Sequence, residues 1–369
     1  MTLLVTGGAG FIGGEVVRLA LERGDAVRVL DSLRADVHAA SVAPPDGVEF
    51  VHGDVRDPAV LDRALAGVDA VFHEAAKVGL GVDLQDAPDY VASNVLGTAE
   101  LAAALARARV GRLVLASSMV VYGEGAYRDA EGRRRRPAAR TVADLDAGRF
   151  EPRDPETGHP LEPDLVDEDD VLDPRNVYAL TKLAQEHLAS AWARSTGGRA
   201  ALLRYHNVYG PRMPRDTPYA GVAAIFRSSL ARGGAPRVFE DGAQRRDFVH
   251  VTDVAGANLA AADALDELPG GTARAFNVGS GVVTTVGELA AGLARAMGGP
   301  EPIVTGEYRL GDVRHITASS ARARAELDWA PRVALADGLA EFASAEADSS
   351  AADGGGPEQG RLASEGVAR

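Results

Sequence analysis

The chain has 369 residues and an ordinary globular composition, 46% hydrophobic and 25% charged, and this length suits a nucleotide-binding domain joined to a smaller lobe. Its formal net charge of −14 argues against a nucleic-acid partner, whose phosphates require clustered Lys and Arg, but not against a small phosphorylated ligand. Because the chain has no cysteine, disulfides and thiolate-bound zinc are excluded.

The N-terminus enters an apolar strand at residues 3–6, and no basic region followed by an apolar one precedes it. This start argues against a secretory signal. No apolar run reaches the roughly 18 residues that a membrane-spanning helix needs. We therefore expect a cytoplasmic protein without a membrane partner.

Strand-like and helix-like segments alternate through the first half of the chain. Strands are predicted at residues 3–6, 26–30, 48–52, 70–73 and 112–116, and helices at residues 12–23, 58–66 and 92–108. This alternation implies βαβ crossovers and a parallel sheet with helices on both faces. The predicted fold class is α/β, a Rossmann-type doubly wound parallel sheet.

Residues 124–174 break this pattern. They contain the basic run 133–136, many prolines and the acidic run 167–170, with weak apolar periodicity. We predict an inserted loop region with one short helix near residues 141–147. A solvated surface segment is the simplest interpretation of the basic run, and a lid or a contact to a substrate phosphate is the alternative.

Helix and strand signals return at residues 178–193 and 200–208, and short elements then continue to about residue 342. We predict a Rossmann-type domain over residues 1–205 and a smaller α/β C-terminal lobe that binds substrate over most of residues 206–342. Residues 343–369 are rich in Ala, Ser, Gly and Glu, which is typical of a disordered tail.

A glycine-rich sequence, T-G-G-A-G-F-I-G, occupies residues 6–13, between the first strand and the first helix. Its G-x-x-G-x-x-G spacing is a variant of the dinucleotide fingerprint, in which glycine lets the backbone approach a pyrophosphate. The helix N-terminus supplies N–H donors to the phosphates. The predicted cofactor contacts of this turn are Gly7, Gly10, Phe11, Ile12 and Gly13.

Asp31 stands at the end of the second strand, 18 residues beyond Gly13. A carboxylate there would accept hydrogen bonds from the adenosine ribose and repel a 2′-phosphate, which favours NAD over NADP. A surface turn residue is the alternative. Asp54, after the third strand, is placed to reach the adenine edge, with a helix cap as the alternative.

Tyr178 and Lys182 form Y-x-x-x-K at the start of a helix, so both lie on one helix face. An ammonium beside the phenol favours the phenolate, which can take a proton from a sugar hydroxyl. Ser118 follows a strand at the edge where parallel sheets bind ligands, with a turn residue as the alternative. Asn94 precedes that strand and is either a site residue or a structural polar anchor.

The ordered motifs together resemble the extended short-chain dehydrogenase family of nucleotide-sugar epimerases and dehydratases, over residues 1–342. The motifs that carry the resemblance are T-G-G-A-G-F-I-G, H-E-A-A-K, N-V-L-G-T, S-S-M-V-V-Y-G, Y-A-L-T-K, N-V-Y-G-P-R, R-D-F-V-H-V-T-D-V, F-N-V-G-S-G and R-L-G-D-V-R.

The resemblance implies NAD as cofactor, a nucleotide-diphosphate sugar as substrate and a homodimer formed through a helix bundle. It implies catalytic roles for Ser118, Tyr178 and Lys182. Asn207, Arg246 and Arg309 are implied to hold the diphosphate, a surface ion pair being the alternative for each arginine. Cofactor contacts are implied, beyond the glycine turn and Asp31, for Asp54, Val55, Ala75, Ala76, Lys77, Asn94, Tyr178, Lys182, Tyr205 and Val208.

The sequence departs from the family pattern in two places, and the first departure narrows the predicted function. Dehydratases carry an Asp-Glu pair after the catalytic hydroxyl residue, where this chain has Met119 and Val120. The prediction is therefore an NAD-dependent 4-epimerase working through a transient 4-keto sugar. A 4-ketoreductase, dehydrogenase or dehydratase of the same family, and a non-catalytic dinucleotide sensor, are the alternatives. The stretch from residue 205 to residue 222 resembles family members that act on a dTDP-6-deoxyhexose.

The second departure is the length of the 124–174 insertion, about twice what the family usually has. Residues 153–161 resemble a zinc knuckle of some relatives without its cysteines. A carboxylate and histidine site at Asp154, Glu156 and His159 is conceivable, but no metal is expected because no thiolates remain.

Overall fold

The computed structural model describes residues 1–34, 45–79, 84–214 and 221–345. The strands in these ranges are β1 (Thr2–Thr6), β2 (Ala26–Asp31), β3 (Glu49–His52), β4 (Ala70–His73), β5 (Arg112–Ser118), β6 (Ala126–Arg128), β7 (Arg134–Arg135), β8 (Glu162–Asp164), β9 (Arg199–Tyr205), β10 (Asn207–Tyr209), β11 (Arg237–Val238), β12 (Arg245–Arg246), β13 (Phe248–His250), β14 (Thr272–Val278), β15 (Thr284–Thr285) and β16 (Ile303–Val304). The α-helices are α1 (Phe11–Glu22), α2 (Pro58–Ala64), α3 (Ala87–Tyr90), α4 (Gly97–Ala108), α5 (Val142–Asp146), α6 (Val177–Thr196), α7 (Val222–Ala231), α8 (Val251–Ala264), α9 (Val286–Met297), α10 (Ala321–Leu327) and α11 (Leu335–Ser344). A π-helical segment, Val91–Leu96, joins α3 to α4, and short 3-10 segments cover Leu84–Asp86, Met119–Tyr122 and Leu265–Glu267.

Seven parallel strands form the central sheet in the order β3-β2-β1-β4-β5-β9-β14. The chain runs outward from β1 in one direction to β3, then returns to β4 on the other side of β1. The carboxyl ends of β1 and β4 therefore mark the switch point where such sheets bind ligands. The predicted Rossmann-type α/β fold is confirmed.

Apolar side chains cover both faces of this sheet, as the nearly continuous hydrophobic strands require. One layer buries α1 and α8 against the sheet, and the other buries α2, α4 and α6. Helix α1 forms because Val16, Val17 and Ala20 share its buried face. Gly24, just after the helix, has φ of +88°, a conformation that glycine adopts without steric cost.

The C-terminal third contributes to two cores. Helices α7, α9 and α11 enclose a separate apolar cluster around Phe226, Leu289 and Phe342, and this cluster with its short strands corresponds to the predicted lobe. Within the same third, β14 pairs with β9 at the edge of the main sheet, and α8 packs on α1. Helix α11 continues to Ser344, two residues into the predicted tail, whose residues 346–369 lie outside the described residues.

The insertion contains regular secondary structure beyond one short helix. The prediction of a loop region was wrong on this point. Strands β7, β6 and β8 form a small antiparallel sheet. The predicted short helix is present as α5, where Thr141 accepts a hydrogen bond from the backbone N–H of Asp144. These strands have only two or three residues each, too few to show an alternating pattern in sequence.

The basic run of the insertion makes ion pairs with acidic residues. Arg134 bonds to Asp167 and Asp170, which belong to the acidic run, and Arg136 pairs with Asp173 at 3.0 Å. The side chain of Arg133 is 63% exposed. The run is thus a solvated ion-pair surface, in line with the simpler of the two interpretations of its sequence.

Candidate active site

The glycine turn after β1 has no room for side chains. A Cβ on Gly13 would lie 2.2 Å from the carbonyl oxygen of Gly7, and one on Gly7 would lie 2.7 Å from the backbone nitrogen of Ala75. Helix α1 begins with Gly10 as its N-cap, with no side-chain cap and no acidic residue in its first turn. Its first N–H groups therefore stay available to an anion such as a pyrophosphate. The glycine turn and the start of α1 thus fit the pyrophosphate of NAD.

Asp31 connects the glycine turn with the loop that follows β2. Its carboxylate accepts the backbone N–H of Ala9 at 3.0 Å and that of Leu33 at 2.9 Å, and its residue is 7% exposed. Asp31 thus lies beside the glycine turn at the carboxyl end of the sheet. This is the position predicted for a carboxylate that accepts hydrogen bonds from the adenosine ribose. Asp54 is instead engaged with the guanidinium of Arg56 at 2.6 Å, and this hydrogen bond lowers the pKa of Asp54.

Asn94 holds the loop after β4 against the helix that carries Tyr178 and Lys182. Its amide oxygen accepts the backbone N–H of Lys77 at 2.7 Å, while its amide nitrogen donates to the carbonyl of Lys77 and the hydroxyl of Thr181, each at 2.9 Å. Asn94 is fully buried. These contacts are those of the structural polar anchor that the sequence left as an alternative, and they position the cofactor edge of the sheet.

The other predicted cofactor residues lie around this edge. Ala75 abuts Gly7, and the ammonium of Lys77 is paired with Asp89 at 2.7 Å. Val55 is buried beside Gly97, where a Cβ would come within 2.8 Å of it. Ala76, Tyr205 and Val208 are respectively half-buried, buried and half-buried.

Ser118, Tyr178 and Lys182, far apart in sequence, converge where β5 ends and α6 begins. The hydroxyl of Ser118 accepts the backbone N–H of Val120 at 3.4 Å and lies close enough to the phenol of Tyr178 to lower the pKa of that phenol. The ammonium of Lys182 donates to the carbonyl of Ala116 at 2.8 Å, one turn further along the helix face that carries the phenol. This is the spatial arrangement that the Y-x-x-x-K and S-S-M-V-V-Y-G motifs predict.

Burial dominates the acid–base properties of this group. It raises the pKa of Tyr178 to about 12, against the opposing effect of the neighbouring Ser118 hydroxyl. It lowers the pKa of Lys182 to about 8, although the nearby carboxylates of Glu74 and Glu186 pull that value upward. A lysine with such a pKa changes its charge near neutral pH. The serine–tyrosine–lysine group can therefore move a proton when a positive cofactor ring lies beside it.

Glu74 is a site residue to which the sequence analysis gave no role. It follows β4 in the H-E-A-A-K motif, and its carboxyl accepts a hydrogen bond from the hydroxyl of Tyr205 at 2.8 Å. Tyr205 is held in turn by Asn258. Burial raises the pKa of Glu74 to about 7. A carboxylate directly after a buried strand was the available signal, but its partner lies 131 residues away.

The residues predicted to hold a diphosphate line the C-terminal lobe. Arg246 donates to the carbonyls of Arg245, Val313 and Arg314, at 2.8, 2.6 and 3.0 Å, and has no carboxylate within ion-pair distance among the described residues. Burial lowers its pKa. The amide oxygen of Asn207 is buried without a partner in the same part of the chain.

Arg309 is exposed, with its guanidinium 5.2 Å from the ring centre of Phe239. No salt bridge to Arg309 is present within the described ranges. The surface ion pair that the sequence left as an alternative for these arginines is therefore absent for both Arg246 and Arg309 there, and each keeps donors that an anion can use.

Residues 153–161 show no metal centre. The carboxylate of Asp154 caps a turn through the backbone N–H groups of Glu156 and Thr157, at 2.8 and 2.9 Å. No cluster of three or more His, Asp and Glu side chains suited to a metal ion exists in the described part of the chain. In the same part, no helix combines the length and apolar character needed to cross a bilayer.

The switch-point turn, the Asp31 carboxylate beside it and the serine–tyrosine–lysine group are the features of a dinucleotide-dependent enzyme of Rossmann-type fold. The sequence pattern of the NAD-dependent epimerase/dehydratase family matches residues 3–142 and 153–279. This chain therefore belongs to that family.

Individual relatives agree with this assignment. The chain is 35% identical to the dTDP-L-rhamnose 4-epimerase of Burkholderia thailandensis, over 92% of this chain and 93% of that protein. It is 34% identical to the UDP-glucose 4-epimerase of Mycolicibacterium smegmatis, over 92% and 97%. The structure of the Thermotoga maritima UDP-glucose 4-epimerase with UDP-glucose superposes with a TM-score of 0.74 at 29% identity, over 93% of this chain and 97% of that one.

A structure of MoeE5 with UDP-glucose and NAD superposes with a TM-score of 0.73 at 30% identity, over 93% of this chain and 97% of that one. The family, the fold, the NAD cofactor and the class of enzyme, a nucleotide-sugar epimerase, are thereby confirmed.

Proposed function

We propose that the enzyme inverts the C4 configuration of a nucleotide-linked sugar through a transient 4-keto intermediate, with a dTDP-6-deoxyhexose as its substrate. The observation that carries this proposal is the convergence of Ser118, Tyr178 and Lys182 beside two side chains without acid–base chemistry. Met119 and Val120 follow the catalytic serine, and neither can move the additional proton that a dehydration requires. Oxidation and reduction at one carbon need only the three polar groups and a hydride carrier.

Bound NAD supplies the hydride acceptor and donor for C4. Tyr178 takes the proton from the C4 hydroxyl, and Ser118, whose hydroxyl neighbours the phenol, bridges the sugar oxygen and Tyr178. The ammonium of Lys182 stabilises the phenolate through its positive charge. When the hydride would return to the opposite face of C4, Tyr178 would give the proton back to the C4 oxygen.

The diphosphate must stay fixed while the 4-keto sugar turns over. We assign this role to Asn207, Arg246 and Arg309. Arg246 supports the assignment because backbone carbonyls orient its guanidinium and, among the described residues, no carboxylate neutralises it. A guanidinium held in this way is prepared for phosphate oxygens.

The decisive experiment follows C4 configuration directly. The purified enzyme is incubated with dTDP-, UDP- and GDP-sugars, including dTDP-L-rhamnose, and the products are identified by NMR. We expect a C4 epimer from at least one dTDP-sugar, and none with Tyr178→Phe. Stoichiometric change in the absorbance of the reduced nicotinamide would favour a net dehydrogenase or ketoreductase instead, and accumulation of a 4-keto-6-deoxy sugar would favour a dehydratase.

We also propose that the enzyme is a homodimer formed through α4 and α6, and that it works in the cytoplasm. The two helices pack side by side. Leu180 of α6 is 55% exposed, and Leu96, which directly precedes α4, is 47% exposed. The small residues Ala103 of α4 and Ala191 of α6 are also exposed. An apolar face of this kind supports a helix-to-helix contact between two copies.

A further inference from the structure

The insertion contacts the segment that carries Arg309. This segment, residues 308–315, is called here the phosphate segment. At its start, the hydroxyl of Tyr308 donates to the carboxylate of Asp146 in the insertion at 2.7 Å. In its middle, the carbonyl of Asp312 accepts a hydrogen bond from Arg140 at 2.5 Å. The side chain of Arg140 is 7% exposed and is also paired with Glu240 at 2.7 Å.

Glu151 of the insertion binds the end of the phosphate segment with both carboxylate oxygens. One oxygen accepts from Nε and Nη2 of Arg314, at 3.0 and 2.5 Å. The other lies 2.8 Å from Nε2 of His315. Nδ1 of His315 accepts the backbone N–H of Arg245 at 3.1 Å, so the ring proton resides on Nε2 and is donated to Glu151.

This contact is charge-assisted on the side of the insertion. Although burial opposes its ionisation, the hydrogen bonds from His315 and Arg314 lower the pKa of Glu151 to about 2. Arg314 is fully buried and is neutralised by Glu151, Glu240 and Asp241 together. Removing one of these partners leaves a buried guanidinium incompletely paired, which a protein avoids by moving the backbone that carries it.

The backbone of the phosphate segment in turn holds Arg246. The carbonyls of Val313 and Arg314 accept hydrogen bonds from its guanidinium at 2.6 and 3.0 Å. Glu124, the first residue of the insertion, accepts the backbone N–H groups of Arg314 and His315, at 3.0 and 3.2 Å. Both proposed diphosphate arginines are therefore attached to a backbone that the insertion fixes.

We propose that residues 124–174 are the positioning element of the diphosphate site: through Asp146, Glu151 and Arg140 they fix the phosphate segment and so orient Arg246 and Arg309 toward the nucleotide diphosphate. The inference rests on the proposed function in one respect, the assignment of these two arginines to the diphosphate. Orientation matters because a free arginine side chain has rotamer entropy to lose on binding. Glu151, Arg140 and Asp146 are thus positioning residues that act through the arginines.

The test compares Glu151→Gln with Glu156→Gln. Both residues lie in the insertion and are exposed, but the carboxylate of Glu156 is 3.5 Å from Arg135, outside the phosphate segment. The binding of dTDP and UDP alone is measured by calorimetry, together with kcat, KM, bound NAD and Tm. We expect Glu151→Gln to weaken nucleoside-diphosphate binding about tenfold and to raise KM similarly, equivalent to roughly 1.4 kcal/mol, with kcat and bound NAD nearly unchanged. Glu156→Gln should match the parent protein.

Arg246→Ala separates the inference from the proposed function. If Arg246→Ala leaves dTDP and UDP binding intact, the diphosphate assignment is wrong. If Arg246→Ala weakens binding but Glu151→Gln behaves like Glu156→Gln, the positioning role is overturned while the proposed function stands.

Asp146→Asn decides the question should Glu151→Gln fail to fold. Asp146 is exposed, so its replacement costs little stability. It still weakens the hydrogen bond to Tyr308, and we expect it to raise KM about two- to threefold, a loss below one tenfold step in affinity, without lowering kcat. An unchanged KM in a folded Asp146→Asn protein would contradict the inference.

Discussion

The phenol of Tyr178 is protonated at neutral pH in the protein without ligands, because burial raises its pKa to about 12. In the proposed mechanism, the ammonium of Lys182 and the cofactor ring favour the phenolate through their positive charge. A general base of this kind contributes about 10²- to 10⁴-fold to a rate. Replacing the phenol of Tyr178 should therefore lower the rate.

We expect Tyr178→Phe to lower kcat for epimerisation by about 10²- to 10⁴-fold, because phenylalanine has no hydroxyl that can take the proton. Nucleoside-diphosphate binding and bound NAD should stay within about twofold, since Phe keeps the ring and its packing at 6.1 Å from the ring centre of Tyr90. Single-turnover NMR and the absorbance of bound cofactor measure these quantities. A variant with kcat close to that of the parent would show that another residue is the base.

The free energy of unfolding should depend on pH through Glu74. Its pKa is raised from 4.5 to about 7 by burial, so the folded protein holds this proton more tightly than the unfolded chain does. The stabilising contribution of the Glu74 proton is complete at pH values below the ordinary pKa of 4.5. It is lost as pH rises through about 7. Replacement by the neutral isostere Gln removes this loss.

Urea unfolding of Glu74→Gln and the parent protein between about pH 5 and pH 8 measures the effect. The free energy of unfolding of Glu74→Gln relative to the parent should rise with pH, by up to about 3 kcal/mol over the whole window. Glu156→Gln serves as the exposed control and should show no such trend. A constant difference between Glu74→Gln and the parent would mean that Glu74 does not hold its proton.

At the scale of elements, the first half of the chain was predictable because each element carries its own signal. Helix α1 has an apolar face and a glycine after its end, and β5 is an apolar run of buried residues. The serine–tyrosine–lysine group followed from two local motifs placed on such elements. Local patterns therefore identified the sheet, its glycine turn and the residues at its edge.

What the sequence did not predict depends on partners far along the chain. The two- and three-residue strands of the insertion exist because they pair with one another. Strand β14 joins the main sheet through β9, and no local pattern distinguishes it from a strand of the lobe. Likewise, Glu151 finds Arg314 across 163 residues. Such contacts arise from tertiary packing, and periodicity carries no record of them.

The glycine turn supplies a prediction for a whole element, the seating of α1. In Gly13→Ala, the new Cβ would lie 2.2 Å from the carbonyl oxygen of Gly7, so the helix must move away from the turn. We expect a loss of about 1–3 kcal/mol in the free energy of unfolding and a loss of bound NAD.

Gly14→Ala is the matched control, because its Cβ meets nothing closer than 3.5 Å. A glycine inside a helix is less favourable than alanine by about 1 kcal/mol, so Gly14→Ala should equal or exceed the parent in stability and retain NAD. Calorimetric unfolding and cofactor absorbance measure both proteins. Retention of NAD by Gly13→Ala would contradict the close approach of the turn to the pyrophosphate.

At the scale of the whole molecule, the proposed dimer must overcome the repulsion between two chains that each carry a formal charge of −14. The proposed face of α4 and α6 is suited to this because it includes the exposed uncharged residues Leu96, Ala103, Leu180 and Ala191. Burial of apolar surface contributes about 25 cal/mol per Å², whereas repulsion between distant surface charges is screened by salt. Association should therefore strengthen as the ionic strength rises.

Leu96→Glu places a carboxylate on this face, at the start of α4, and the partner chain contributes a second copy. Because two buried like charges oppose association, we expect this variant to be monomeric at concentrations where the parent is dimeric, as measured by light scattering coupled to size exclusion. Val142→Glu, an equally exposed apolar position at 48% on α5 of the insertion, adds the same charge elsewhere and should leave the dimer intact. If Leu96→Glu and Val142→Glu have the same mass in solution as the parent, the chains associate through another face or not at all.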